Sequence, residues 1–219
     1  MRRVLGRLRY PFSIQELGAG DAVEFDGYEV AAFNVRHRGS AFGYALVEDA
    51  RPGRFDAERR GQLGVPFGPD FGRLQRGETV NGVSPEQVIG PDRPGRKIVV
   101  SGDTAPCEMV RVAAHEADVL VHEATFCADE LDRARETLHS TAGQAALVAR
   151  EAGVRLLALT HLSSRYPGSD VAAEAQAVFP ATVVPRDFDV VEIPFLERGE
   201  PTLVPRGSRR SRAGVVSEG

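Results

Sequence analysis

Three short apolar runs, each meeting a residue that can hold a proton or a metal, constrain this chain more than anything else in it. "KIVVSGD" (97–103) closes on Asp103, "DVLVHEATF" (118–126) carries His122 and Glu123, and "VRLLALTH" (154–161) ends on His161. Apolar runs of this length bounded by polar residues read as buried strands. The segments between them read as helices. "APCEMVRVAAHEA" (105–117) takes Thr104 as its N-cap, and "HSTAGQAALVAREAG" (139–153) has Thr141 and Gln144 as a capping box and Gly153 as its stop. Alternating strands and helices imply an α/β half with parallel pairing. Such sheets gather ligands at the C-terminal ends of their strands, the edge where Asp103, Glu123, His139 and His161 fall.

The rest of the chain has a different texture. "AVEFDGYEVAAFNV" places a turn at Asp26-Gly27 between two apolar runs, a hairpin signature, and "AFGYALVE" (41–48) reads as a further strand. From 51 to 95 glycine, proline and charge dominate without periodicity, as in a projecting functional loop. "VVEI" (190–193) reads as a short last strand, and 205–219 as a basic, disordered tail. Cys107 and Cys127 are the only cysteines and lack CxxC spacing, which excludes a four-cysteine zinc site and suits a reducing compartment. No run of about eighteen apolar residues or signal-peptide core occurs, so the expectation is a cytoplasmic protein with no membrane partner. A net charge of −4 leaves nucleic-acid binding to a local patch.

A carboxylate and imidazoles on one sheet edge suit a divalent ion such as zinc or manganese. Each residue also has a plainer reading. Asp103 serves equally as the cap of the next helix, and His122 reads as a satisfied core histidine. His115 reads as solvated surface and His37 as a loop residue.

"SGDTAPC", "ADVLVHEATF", "LHSTAGQAA" and "LTHLSSRY", in this order and spacing, resemble the ribonuclease Z family, transfer-RNA 3′-processing endonucleases of the metallo-β-lactamase fold. "LRYPFSIQEL" and the stretch "PGRFDAERRGQLGVPFGPDFGRLQRGETV" extend the likeness from about Leu8 to Phe195. The resemblance implies an αββα sandwich with residues 1–204 as a partial, N-terminally truncated domain and 51–95 inserted as a Gly/Pro-rich substrate arm. It implies that Asp103 bridges two zinc ions, that His161 ligates the second, and that His139, oriented by Glu123, carries a proton in catalysis. Two ions about 3.5–4 Å apart serve an in-line phosphodiester displacement, and an imidazole suits protonation of the leaving 3′ oxygen. The arm, with Arg54, Arg59, Arg73 and Arg76, would grip precursor transfer RNA. Over 51–79 it holds six arginines against two Asp and two Glu, a net of +2. The family also implies a homodimer in which the arm of one subunit serves the other.

The family's principal metal motif, His-x-His-x-Asp-His, occurs nowhere here; the five histidines are His37, His115, His122, His139 and His161. The expectation is therefore a representative lacking its first β-layer, with an unpaired edge or an exposed apolar face beside "KIVVSGD" and two ligands where two zinc sites need more. Three readings follow: a zinc-dependent phosphodiester hydrolase that removes 3′ trailers, an inactive transfer-RNA-binding or dimer-partner remnant, or a fragment whose ligands are encoded upstream.

Overall fold

The computed structural model describes residue 11, residues 13–65 and residues 68–208. Residues 209–219 of the expected tail and residues 8–10 and 12 of "LRYPFSIQEL" lie outside them. Seven strands form one sheet in chain order: β1 (Ala22–Phe25), β2 (Tyr28–Asn34), β3 (Phe42–Glu48), β4 (Lys97–Val100), β5 (Val119–Glu123), β6 (Leu156–Thr160) and β7 (Thr182–Val183). The hairpin turns at Asp26-Gly27 as the sequence requires, and β1 to β4 pair antiparallel. From β4 to β7 pairing is parallel. The parallel crossovers carry helices, since parallel neighbours need a long return. They are α3 (Glu108–Ala113), α4 (Leu131–Thr137) with α5 (Ala142–Ala152), and α6 (Gly168–Val178).

The helices cover one face of the sheet. Ala142, Ala145, Ala146, Ala149 and Ala152 make the buried stripe of α5, small enough to bring its backbone close to Leu120, Leu157 and Leu159. Each of those leucines is essentially unexposed and contributes about 1.5–3 kcal/mol by leaving water. The expected capping box at Thr141 and Gln144 is present, and Gly153 ends α5 in the left-handed conformation. The helix expected over 105–117 is shorter and is not capped by Thr104. Pro106 and Cys107 precede it, and the Thr104 hydroxyl is committed elsewhere, donating to the Ala105 carbonyl and accepting from the Arg36 N–H.

The opposite face is partly covered. β8 (Val190–Glu192) and β9 (Thr202–Val204) form a separate two-stranded sheet, so the run at 190–193 is not the last strand. Val191 and Ile193 pack over Val119, Leu156 and Ala158. Tyr44 and Val100, directly opposite each other on β3 and β4, remain 42% and 40% exposed. The exposed apolar face expected beside "KIVVSGD" is therefore present, and the edge of the sheet on that side falls at β1, which pairs only with β2 among the described strands. β4 lies in mid-sheet with partners on both sides.

Residues 51–95 hold more order than their sequence suggests. Helices α1 (Ala57–Gln62) and α2 (Pro69–Gln75) enclose a small core of Val65, Leu74, Val80, Val83 and Val88, separate from the main one. At the base of this arm two backbones nearly touch: a Cβ on Gly53 would meet the Gly90 carbonyl oxygen at 1.8 Å. Arg51 and Arg93 both reach Glu197, and the Arg51 guanidinium lies 3.4 Å from the Phe195 ring centroid.

Candidate active site

Four loops meet at the C-terminal edge of β4, β5 and β6. After β4 the chain bends through Gly102 (φ +64°) to present Asp103. Asp103 caps no helix, since α3 has Cys107 at its N-cap. β5 ends on Glu123, and β6 runs into His161, which sits at φ +54°. A non-glycine residue in that region is uncommon and strained, a cost that surrounding contacts must hold in place. His139 follows the left-handed Leu138 that ends α4, and its N–H donates to the Ala134 carbonyl at 2.9 Å.

The centre of the cluster is the fully buried Glu123 carboxylate. One oxygen accepts from the Thr104 N–H (3.0 Å) and the His139 Nδ1–H (2.7 Å). The other accepts from the Thr125 N–H (3.0 Å) and the Thr125 hydroxyl (2.8 Å). Since that hydroxyl donates to Glu123, it accepts from His161 Nδ1 at 2.7 Å. This network assigns the proton to Nδ1 on both histidines when neutral and leaves both Nε2 atoms as lone pairs. The two rings stack at 5.3 Å between centroids, and His161 Nε2 lies 3.7 Å from Asp103 Oδ2. Ser140 ties the loops together from below, its hydroxyl donating to the Thr104 carbonyl at 2.7 Å.

One ligand atom from each of Asp103, His139 and His161 lies within 4.8 Å of the others. With both Nδ1 atoms committed, this set has room for one divalent ion of the zinc or manganese kind, held by Asp103 and His161, with His139 Nε2 beside it left to carry a proton. It does not fit two, because no second group of three such donors exists among the described residues.

Sequence reading missed Thr125 and His37. Thr125 is inside "HEATF" but is not an acid, base or ligand, and its role as the bridge from Glu123 to His161 is visible only in three dimensions. His37 is more than a loop residue: its Nδ1–H donates to the Leu138 carbonyl at 3.0 Å, and its ring lies 4.8 Å from that of His139. His122 is buried as expected but only half satisfied. Its Nδ1–H donates to the Glu123 carbonyl at 2.7 Å, Nε2 has no partner, and burial pushes its pKa down. His115 is exposed, as expected. Cys127 is no nucleophile, since burial and then the Glu174 carboxylate push its thiol up to about 11.

The arm arginines make no hydrogen bond or ion pair with this cluster. Arg54, Arg59, Arg73 and Arg76 are exposed. Arg73 pairs with Glu78 and Asp70, Arg76 with Glu78, and Arg59 donates to Gln62. A cavity of about 680 Å³ lies at the other end of the strands among the Glu48–Arg96 and Asp118–Arg155 pairs, away from the imidazoles.

Comparison with known proteins fits this arrangement. The β-lactamase superfamily domain matches residues 3–162. Ribonuclease Z of Myxococcus xanthus is 57% identical over 164 residues, covering 73% of this chain and 53% of that protein. Ribonuclease Z of Halorubrum lacusprofundi is 47% identical over 200 residues, 87% of this chain and 64% of that one. The chain thus spans between about half and two thirds of the length of these curated relatives. Among solved structures, the metallo-β-lactamase fold protein YhfI of Bacillus subtilis superposes with a TM-score of 0.51 at 16% identity, over 77% of this chain and 50% of that one, a likeness of fold.

Proposed function

The chain belongs to the β-lactamase superfamily, and on that footing we propose that it serves a metal-dependent phosphodiester hydrolase that removes 3′ trailers from precursor transfer RNA. The observation that carries this reading is the buried Glu123 gripping His139 beside Asp103 and His161. Bound there, a zinc ion would activate water and neutralise charge on the phosphate. Asp103 and His161 would hold it. Glu123 fixes the His139 ring through Nδ1 and turns Nε2 outward. A proton held at Nε2 passes to the leaving 3′ oxygen as its bond to phosphorus breaks, yielding a 3′-hydroxyl and a 5′-phosphate, and solvent reprotonates the ring.

The exposed Arg54 and Arg59, with no carboxylate partner among the described residues, and Arg73 and Arg76, shared with Glu78, support the arm as a phosphate-contacting surface. A homodimer, zinc as the metal and a cytoplasmic setting belong to the same proposal; the two unbridged cysteines suit reducing conditions. The test is incubation of the full chain with zinc and a 3′-extended precursor transfer RNA, with metal counted by mass spectrometry. We expect one zinc per chain and trailer cleavage that His139→Ala abolishes. Tight binding without cleavage would replace the hydrolase with the binding-remnant reading. Cleavage undiminished in His139→Ala would remove the proton role.

A further inference from the structure

Beside His139 lies a cavity of about 190 Å³ that the chemistry above does not use. Arg36, Ala105, Pro106, Arg135, Leu138, His139 and Gln144 line it. Two arginines and a histidine thus line one small space with no Asp or Glu among its lining residues, in a chain whose net charge is −4.

The two arginines are held differently, and both remain available. The Arg36 backbone is clamped to the Asp103 loop: its N–H donates to Thr104 Oγ1 at 3.1 Å, and its carbonyl accepts from the Ala105 N–H at 2.8 Å. Its guanidinium has no carboxylate partner among the described residues. Arg135, on the last turn of α4, pairs with Asp132 alone among the described residues, at 3.3 Å and with both side chains largely exposed. An exposed pair of that kind is worth little and yields readily to a phosphate. The adjoining backbone is fixed too, since His37 grips the Leu138 carbonyl.

We propose that this cavity is a phosphate subsite, in which Arg36 and Arg135 hold the phosphate immediately 5′ of the nucleotide whose 3′ oxygen leaves. The assignment of side rests on the hydrolase reading. His139 protonates the leaving oxygen, so the nucleotide bearing that oxygen lies on the His139 side of the scissile phosphate. Its own 5′ phosphate is the next anion along the strand in that direction.

The experiment uses the full chain with EDTA, so that binding is read without cleavage. The ligands are a precursor transfer RNA and the same RNA with one neutral methylphosphonate at that linkage. Wild type should bind the neutral-linkage RNA about tenfold more weakly, a usual loss for one charge-assisted contact. Arg36→Gln should lose a similar factor on unmodified RNA, lose nothing more on the modified RNA, and lower the salt slope by about 0.7. Arg135→Gln should follow it. Arg150→Gln, an exposed change on α5, controls for charge alone, and its effect should add to that of the methylphosphonate. Equal thermal midpoints show that the variants fold.

Independent, additive losses for Arg36→Gln and the methylphosphonate would overturn the subsite, as would unchanged affinity or no binding by wild type. Adding zinc separates the two ideas. Coupling without cleavage keeps the subsite and sinks the hydrolase, whereas cleavage without coupling sinks the subsite alone.

Discussion

Replacing Glu123 by Gln tests the cluster without changing its shape. The carboxylate accepts four bonds and donates none. An amide turned toward Thr104 and His139 sets its NH2 against two N–H donors. Turned the other way, it faces the Thr125 N–H and hydroxyl. That hydroxyl can rotate to accept, but its hydrogen then points at His161 Nδ1, only 2.7 Å away. His161 must shift its proton to Nε2, and the Thr125 N–H still has no acceptor. A bond to a charged group is worth about 1.5–3 kcal/mol, and one buried donor left unpaired costs about 1–3 kcal/mol. Recovered desolvation of the charge offsets part of this. The net loss is about 2–4 kcal/mol. In a chain of 219 residues, each kcal/mol lowers the midpoint by about 2–4 °C, so Glu123→Gln should melt about 4–16 °C below wild type. Thr125→Val removes one of the four bonds together with the acceptor of the His161 Nδ1–H, and should lose about half as much. Circular dichroism with EDTA present measures both. A Glu123→Gln midpoint within about 2 °C of wild type, or an equal loss from Thr125→Val, would refute the reasoning.

Two further perturbations probe the rest of the molecule. Unfolded, His122 takes a proton near pH 6.5, whereas its burial keeps the folded imidazole neutral to lower pH. The unfolded chain then binds more protons, so stability falls as pH drops below about 6.5, by up to about 1.4 kcal/mol per unit. Urea midpoints between pH 7.5 and 5.5 should show a shallower fall for His122→Phe, and parallel slopes would contradict the assignment. At the arm base, the Arg51 hydrogen bond first, then a backbone hydrogen bond, then charge from Arg51 and Arg93, hold the Glu197 carboxyl down at about 2. Its contribution is therefore present above the ordinary glutamate value and lost as pH falls toward about 2. Glu197→Gln should speed tryptic cutting after Arg54, the arm-base arginine not followed by proline, and an unchanged cutting rate would show that the clamp holds nothing.

What the sequence revealed follows from how local each signal is. Thr141, Gln144 and Gly153 act within one helix, so their caps were readable. His161 closing an apolar run and Asp103 after "SG" were likewise readable as edge residues. Thr125 was not, since its meaning lies in a bond to His161 thirty-six positions away. His37 was hidden for the same reason: its partner, Leu138, is 101 residues distant. The expected Thr104 cap gave way because the nearby Arg36 strand end supplied a competing bond. The arm's order stayed hidden because Val65, Leu74, Val80, Val83 and Val88 come singly, without a helical or strand period.

The clamp that ties the arm to Glu197 has a consequence for synthesis. Arg93 and Glu197 are 104 residues apart, which at roughly 5–20 residues per second separates their emergence by roughly 5–20 seconds. The arm's own valines and Leu74 all precede Arg93, so its small core can close while the parallel strands are still being made. Phe195 and Glu197 arrive after β7, the last strand of the seven-stranded sheet, and join a finished arm to it. During that interval a nascent chain presents a folded arm with no fixed direction.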